Sequence, residues 1–110
     1  MQYKIPVKII VLNNNFLGMV RQWQQLFFEK RYSFTEMSNP NFVALALAYS
    51  IPAKKVSERV DLKTSLEEML NSNGPYFLEV VVEKEENVFP MVPTGAGVSE
   101  VILEPETKKQ

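Results

Sequence analysis

The residues best suited to chemistry in this chain are three consecutive asparagines, Asn13, Asn14 and Asn15. They follow a β-branched apolar run and precede a segment with helical periodicity. An asparagine offers a neutral amide oxygen, which is a hard ligand of the kind that Mg²⁺ and Ca²⁺ accept. A helix that begins just beyond offers unpaired backbone N–H groups to an anion. The two features together predict a site for a magnesium ion and a phosphate group.

An ordinary turn is the alternative for the same cluster, because asparagine tolerates the backbone angles of a turn between a strand and a helix. Local composition favours the turn. Position favours a ligand, because open α/β sheets bind ligands outside the carboxyl ends of their strands.

Trp23 also has two interpretations: an anchor of the core on the apolar stripe of the helix, or a wall of a pocket.

Composition limits the classes of protein and of site. The 110 residues suit one domain, and the net charge of −1 argues against a nucleic-acid-binding surface. With no cysteine and no histidine, disulfides and thiolate or imidazole metal sites are excluded, so any metal must be held by oxygen. The lack of cysteine fits a reducing compartment, and we expect a cytoplasmic protein. No run of ~20 apolar residues is present, so no membrane span is predicted.

Hydrophobic periodicity predicts an α/β fold of three layers, with a mostly parallel sheet flanked by helices. Asn39 and Pro40 should start the second helix, and Asp61 should cap the third. The first strand has the composition of a strand buried on both faces. It therefore needs neighbours on both sides, and we expect further chain upstream of it. The predicted strands are 5–12, 53–58 and 76–82, and the predicted helices are 18–30, 42–49 and 62–71.

Two helices have faces that predict how they pack. The first has an apolar stripe that should face the core, with glutamines over much of the remaining surface. The second is apolar nearly all round, so it should be buried. The stripe of the first helix consists of Met19, Val20, Trp23, Leu26 and Phe27.

The C-terminal part of the chain changes character. Two prolines and two glycines within residues 87–97 work against regular structure, while Val88, Phe89, Met91 and Val92 need burial. We therefore divide the chain into residues 1–83, which contain the predicted strands and helices, and an ordered but irregular C-terminal arm, residues 84–110. Residues 104–110 are polar and should be frayed.

Four stretches of this sequence closely resemble one family, the catalytic large subunit of acetolactate synthase, also called acetohydroxyacid synthase. The stretches are residues 5–14, 17–24, 74–82 and 86–96. The first of these stretches ends in Asn13-Asn14, and this Asn-Asn ending is shared by thiamine-diphosphate enzymes generally. The motifs Leu-Gly-Met-Val-Arg-Gln-Trp and Asn-Val-Phe-Pro-Met-Val-Pro are more specific.

The resemblance implies a use of thiamine diphosphate and Mg²⁺ to decarboxylate pyruvate and join the two-carbon unit to a second 2-ketoacid. This reaction belongs to branched-chain amino-acid biosynthesis. Asn14 matches a side-chain magnesium ligand, and Phe16 matches a position whose backbone carbonyl binds the same ion. Residues 88–97 match the C-terminal segment of the family that covers the site. Trp23 matches a tryptophan of the substrate channel, and the residues matching positions against the cofactor are Gly18, Met19 and Val20.

The departures from the family pattern imply a fragment. The Gly-Asp-Gly start of the diphosphate motif, whose aspartate is a metal ligand, is absent, as are the domain with the activating glutamate and the domain with most FAD contacts. We therefore expect the C-terminal portion of a diphosphate-binding domain, inactive alone. Its implied partners are the rest of the catalytic subunit, in a homodimer or homotetramer, and a regulatory small subunit; the implied substrates are small 2-ketoacids.

Two other interpretations remain. A stand-alone α/β interaction module that has lost catalysis should bury its aromatic cluster internally, whereas a fragment should expose apolar surface along residues 19–34 and 88–92. A fragment of a related thiamine-diphosphate enzyme, such as pyruvate oxidase, would share the Asn-Asn ending. Trp23 and residues 87–94 disfavour that interpretation.

Overall fold

The structure, a computed structural model, describes residues 2–103 and contains six helices and strands in this part of the chain. Their order and type match the prediction. The three strands form one parallel sheet in the order β1-β3-β2. No helix among the described residues is long and apolar enough to cross a membrane. The elements are β1 (Lys8–Asn13), α1 (Gly18–Phe27), α2 (Phe42–Ala48), β2 (Ala53–Val56), α3 (Arg59–Asn71) and β3 (Tyr76–Val81).

The core lies between the sheet and α3. Leu78, at the centre of β3, is fully buried and packs with Val56 of β2 and Met69 of α3. Leu62 and Leu66 add a helical stripe against the same cluster, since residues four apart lie on one side of a helix. This packing follows directly from the apolar pattern of the two segments.

The second layer of helix lies on the opposite face of the sheet. The ring of Phe42 in α2 lies 6.3 Å from the ring of Phe77 in β3, measured between centroids. Because successive side chains of a strand point to opposite faces, Phe77 and Leu78 face different layers. The molecule is therefore a helix–sheet–helix sandwich, and the predicted α/β fold class is confirmed.

The prediction that β1 is buried on both faces is wrong for the described residues. β1 pairs only with β3, as an edge strand, and Leu12 is 70% exposed. The predicted burial of α2 is also wrong. Ala46 is its one buried residue, and Leu45 and Leu47 are exposed, because the helix contacts the sheet along one side only. Apolar composition shows what a segment needs to bury, but not what covers it.

The two predicted helix caps are corrected by the structure. Asn41, not Asn39, caps α2, and its side chain accepts a hydrogen bond from the Ala44 N–H at 3.0 Å. Helix α3 begins at Arg59 after Glu58, so Asp61 lies in the first turn instead of at the cap. There its negative charge is favourable beside the positive end of the helix dipole.

Helix α1 is turned the other way from the prediction. Its buried residues are Arg21 and Gln22, while Met19, Val20 and Phe27 of the apolar stripe are exposed. The helix also ends at Phe27, three residues before the predicted end. The polar side of α1 contacts the C-terminal arm, which explains the inversion.

The C-terminal arm is irregular over its described part, as predicted. Its fold depends on one antiparallel bridge, in which the backbones of Met91 and Ile102 exchange hydrogen bonds of 2.9 and 2.7 Å. Between them the chain turns at Pro93, whose carbonyl accepts from the Ala96 N–H. The predicted fraying of residues 104–110 lies outside the described residues.

Candidate functional site

The three asparagines at the end of β1 form a turn that is held by their own side chains. The amide oxygen of Asn13 accepts from the Asn15 N–H at 2.9 Å, and that of Asn14 accepts from the Phe16 N–H at 3.0 Å. Asn15 adopts a φ of +62°, which asparagine tolerates better than most residues. The interpretation of the cluster as a turn is therefore right, and it is compatible with binding of a metal ion at the same residues. An amide oxygen has two lone pairs, so Asn14 retains one for a further partner.

The loop that precedes α2 braces this turn. The Asn39 amide donates to the side-chain oxygens of Asn13 and Asn15, at 3.0 and 3.1 Å. The Leu17 N–H donates to the Thr35 carbonyl at 2.8 Å, and the Met37 N–H donates to the Asn15 carbonyl at 2.7 Å. Asn39 was predicted to cap α2, but its side chain instead orders the asparagine turn.

Helix α1 begins directly after the turn without a side-chain cap. Its N-cap residue is Leu17, which has no polar side chain to accept from the first N–H groups of the helix. An ideal Cβ on Gly18 would lie 3.8 Å from the Asn14 amide nitrogen, so the structure brings Gly18 and Asn14 side by side. Among the described residues, no backbone N–H donates to the Phe16 carbonyl. Donors suited to an anion and oxygens suited to a cation therefore adjoin each other.

These residues fit part of a magnesium site. The Asn14 amide oxygen and the Phe16 carbonyl are hard neutral ligands, but Mg²⁺ in proteins usually also takes one or two carboxylates together with phosphate oxygens. Within residues 2–103, no group of three or more histidine, cysteine, aspartate or glutamate residues is placed to hold a metal ion. One amide oxygen and one carbonyl are therefore an incomplete magnesium site by themselves.

A cavity of about 800 Å³ lies on the α2 face of the sheet, beside the turn. Asn13, Asn15 and Asn39 line it, whereas Asn14, Phe16 and Trp23 do not. The cavity and the predicted cofactor contacts therefore both adjoin the asparagine turn, but they lie on different sides of it. We place the candidate site on the Asn14 side, because that side has the free carbonyl and the uncapped helix.

The same cavity is lined by a buried carboxylate that the sequence analysis did not single out. Glu79 of β3 is 4% exposed, and its Oε2 accepts no hydrogen bond from any residue within 2–103. Lys55 lies opposite in the register of β2, with its Nζ 3.8 Å from that oxygen. One carboxylate within an otherwise apolar strand was the available signal, and its charge partner became identifiable only through the strand register.

The outward face of α1 carries the predicted channel residue. Trp23 is 36% exposed and meets Phe27 edge to face, with ring centroids 5.4 Å apart. The interpretation of Trp23 as a core anchor is therefore not supported, and a surface-forming role is. The exposed apolar surface expected of a fragment is confirmed, and the internally buried aromatic cluster expected of a stand-alone module is not found. The exposed apolar residues among 19–34 and 88–92 include Met19, Val20, Phe27, Phe28, Tyr32, Phe34, Val88 and Val92.

A buried arginine lies behind this face, and sequence reasoning missed its role. Arg21 is 5% exposed, and its guanidinium lies 4.3 Å from the Tyr32 ring centre and 5.2 Å from that of Phe16. Its Nη2 donates to a Glu85 carboxylate oxygen at 2.8 Å. The side chain thus joins three segments: the asparagine turn, the loop after α1, and the arm. A charge on the polar side of a helix gave no sign of this burial.

Comparison with known proteins identifies the family of this chain. The family model described as "Thiamine pyrophosphate enzyme, C-terminal TPP binding domain" matches residues 1–80. A 4-hydroxybenzoylformate decarboxylase that depends on thiamine diphosphate, from Rhodococcus jostii RHA1, has a similar structure. Its TM-score is 0.66 at 30% identity, over 74% of this chain and 16% of that one.

Acetolactate synthases are similar to nearly the whole chain. The mitochondrial enzyme of Schizosaccharomyces pombe is 51% identical over 102 residues, which are 93% of this chain and 15% of that protein. The isozyme 2 large subunit of Escherichia coli is 48% identical over 100 residues, 90% of this chain and 18% of that protein. The chain spans less than a fifth of the length of these relatives. It belongs to the family of thiamine pyrophosphate enzyme C-terminal TPP-binding domains, and its counterpart among known proteins is one part of an acetolactate synthase catalytic subunit.

Proposed function

We propose that this chain forms half of the magnesium–diphosphate site of an acetolactate synthase. The observation that carries the proposal is the turn after β1. There the oriented Asn14 amide oxygen, the free Phe16 carbonyl and the uncapped start of α1 follow one another within a few residues. Identity to acetolactate synthases over nearly the whole chain supports the same assignment.

In this proposal, Asn14 binds Mg²⁺ through its side-chain oxygen and Phe16 binds it through its backbone carbonyl. The remaining ligands are an aspartate from another part of the catalytic subunit and oxygens of the diphosphate. The hydrogen bond from the Phe16 N–H to Asn14 holds the amide oxygen in a fixed orientation before the ion arrives. Such preorganisation lowers the entropic cost of binding.

Gly18, Met19 and Val20 lie against the cofactor in this proposal, and Trp23 lines the channel by which substrates reach it. Thiamine diphosphate, when bound, supplies the electron sink for decarboxylating pyruvate and joining the two-carbon unit to a second 2-ketoacid. The first N–H groups of α1 are free to donate to a phosphate group. The exposed apolar side chains beyond them exclude water from the channel wall.

We further propose that residues 1–83 are the C-terminal portion of the diphosphate-binding domain, and that residues 84–110 form an arm over the site. The partners in this proposal are the rest of the catalytic subunit, a second catalytic subunit and a regulatory small subunit. FAD contacts belong to other parts of the enzyme, and the reaction belongs to branched-chain amino-acid biosynthesis. The absence of cysteine supports a reducing compartment such as the cytoplasm, although the S. pombe relative is mitochondrial.

The test uses a catalytic subunit that contains residues 1–110, assayed for acetolactate formation as Mg²⁺ is titrated. Asn14→Ala should raise the Mg²⁺ concentration for half-maximal activity by about tenfold or more, since outer-shell changes alone cost 10–100-fold. Asn15→Gly is the matched control, because Asn15 has a positive φ and its side-chain oxygen bonds only to Asn39 among the described residues. Equal magnesium requirements in the two variants would refute the role of Asn14.

A second experiment concerns the isolated chain. Residues 1–110 supplied with thiamine diphosphate, Mg²⁺ and pyruvate should form no acetolactate, because two neutral oxygens are an incomplete magnesium site. Formation of acetolactate above the rate without protein would show that the chain is catalytically self-sufficient, and the proposed division of the site would then be abandoned.

A further inference from the structure

The two glutamines that flank Trp23 make the same kind of contact on different segments. The Gln22 amide donates to the Val88 carbonyl, and the Val88 N–H donates to the Gln22 amide oxygen, both at 2.8 Å. The Gln24 amide donates to the Ser33 carbonyl at 2.9 Å and accepts from the Ser33 N–H at 3.2 Å. Each carboxamide thus pairs with both backbone groups of one residue, as a strand would.

The two contacts differ in burial. Gln22 is 1% exposed, and its amide also reaches the Met91 sulfur at 3.3 Å. Two further contacts along the same side of α1 reinforce it: Asn87 donates to Gln25 at 2.9 Å, and Arg21 pairs with Glu85. The Gln24 contact is exposed. A buried amide that lost its partners would incur the full desolvation penalty, so the Gln22 pairing is the stronger of the two.

We infer that Gln22 and Gln24 are positioning residues that hold the C-terminal arm and the loop at Ser33 on the helix that carries Trp23. Gln22 fastens the arm through Val88, and Gln24 fastens the loop through Ser33. Trp23 lies between these two residues in the chain and points outward, so both neighbouring segments are placed relative to it. The consequence for a channel at Trp23 rests on the proposed function, whereas the Gln22–Val88 and Gln24–Ser33 contacts do not depend on it.

The test measures amide hydrogen exchange of the 110-residue chain at Val88 and Ser33. Gln22→Leu should speed exchange at Val88 by about tenfold or more and leave Ser33 unchanged, since a net hydrogen bond is worth about that factor. Gln24→Leu is the matched control and should give the converse pattern. Exchange at Leu78, in the central strand, reports whether each variant keeps its fold.

A conservative variant distinguishes a specific pairing from general loosening. Gln22→Glu keeps an acceptor for the Val88 N–H and loses the donor to the Val88 carbonyl. It should therefore slow exchange at Val88 relative to Gln22→Leu. If Gln22→Leu leaves Val88 protected, or if each leucine variant speeds both amides equally, the inference is overturned.

The catalytic consequence is measured in a catalytic subunit that contains these residues. Gln22→Leu should raise the KM for pyruvate by a larger factor than it lowers kcat, because a displaced wall weakens binding in ground and transition states alike. An unchanged KM would overturn the positioning of the channel. If the unsubstituted subunit forms no acetolactate, the proposed function fails instead, and the exchange pattern still decides the two fastenings.

Discussion

The buried guanidinium of Arg21 stacks over the partly exposed ring of Tyr32, 4.3 Å from the ring centre. Tyr32 belongs to the loop after α1, and the same guanidinium donates to Glu85 of the arm. A charged side chain on the inward face of a helix is thus paired with an aromatic face and a carboxylate, while its Nε finds no acceptor among the described residues. This contact explains why a helix with an apolar stripe presents that stripe outward.

The stacking of Arg21 on Tyr32 should contribute measurably to stability. In a double-mutant cycle with Arg21→Met and Tyr32→Leu, we expect a coupling free energy of about 1 kcal/mol, between the values for an exposed and a desolvated cation–π pair, because the cation is buried and the ring is partly exposed. Urea denaturation of the 110-residue chain measures it. The same cycle with Phe16→Leu should give less, since that ring is 5.2 Å away. Coupling with Tyr32 below about 0.3 kcal/mol would contradict the stacking.

Trp23 and Leu78 should differ in their importance for folding. Leu78→Ala removes a fully buried side chain and should lower the free energy of unfolding by about 2–5 kcal/mol. Trp23→Ala removes a side chain that is 36% exposed and should lower it by less, about 1–2 kcal/mol. Chemical denaturation of both variants makes the comparison. A loss of 3 kcal/mol or more for Trp23→Ala would restore its interpretation as a core anchor.

Gly18→Ala should separate the folding of the chain from the binding of cofactor. The nearest atom to an added Cβ is the Asn14 amide nitrogen at 3.8 Å, an ordinary contact, so the isolated chain should keep its stability within about 0.5 kcal/mol. In the catalytic subunit, the methyl group would occupy space where we propose that the cofactor lies. The thiamine diphosphate concentration that gives half-maximal acetolactate formation should therefore rise. An unchanged requirement for the cofactor would argue against that placement.

The corrected cap of α2 can be checked directly. Asn41→Ala should lower the free energy of unfolding by about 1 kcal/mol and speed exchange of the Ala44 amide, which bonds to the Asn41 side chain. Asn39→Ala leaves this bond intact and loses only contacts to Asn13 and Asn15. Faster exchange at Ala44 in the Asn39 variant alone would reinstate the cap predicted from the sequence.

Glu79→Gln tests whether the buried carboxylate stabilises the fold. Its Oε2 lacks a donor, and Lys55 remains solvated without it because that side chain is 59% exposed. The substitution should therefore be neutral or stabilise the chain by about 1 kcal/mol. Glu68→Gln, at an exposed pair with Lys54, is the control and should change stability by less than about 0.5 kcal/mol. A loss above 2 kcal/mol for Glu79→Gln would mean that the carboxylate is better satisfied than the structure indicates.

The type and order of the six helices and strands within residues 2–103, the parallel sheet and the irregular arm could all be predicted from the sequence alone. Those features depend on local patterns: β-branched runs, helical spacing, and the placement of proline and glycine. The sequence also indicated the asparagine turn and, through its resemblance to acetolactate synthases, the family. The physical reason is that each of these signals lies within a short stretch of chain.

Only the tertiary structure decided which faces are buried and which residues meet across the chain. Helix α1 has an apolar stripe and a polar side, and periodicity assigned the stripe to the core. The arm, more than 60 residues away, pairs with Gln22 and turns the polar side inward. Lys55 meets Glu79 only because β2 and β3 share a register. Contacts between segments distant in sequence leave no periodic signal, so their geometry had to come from the fold.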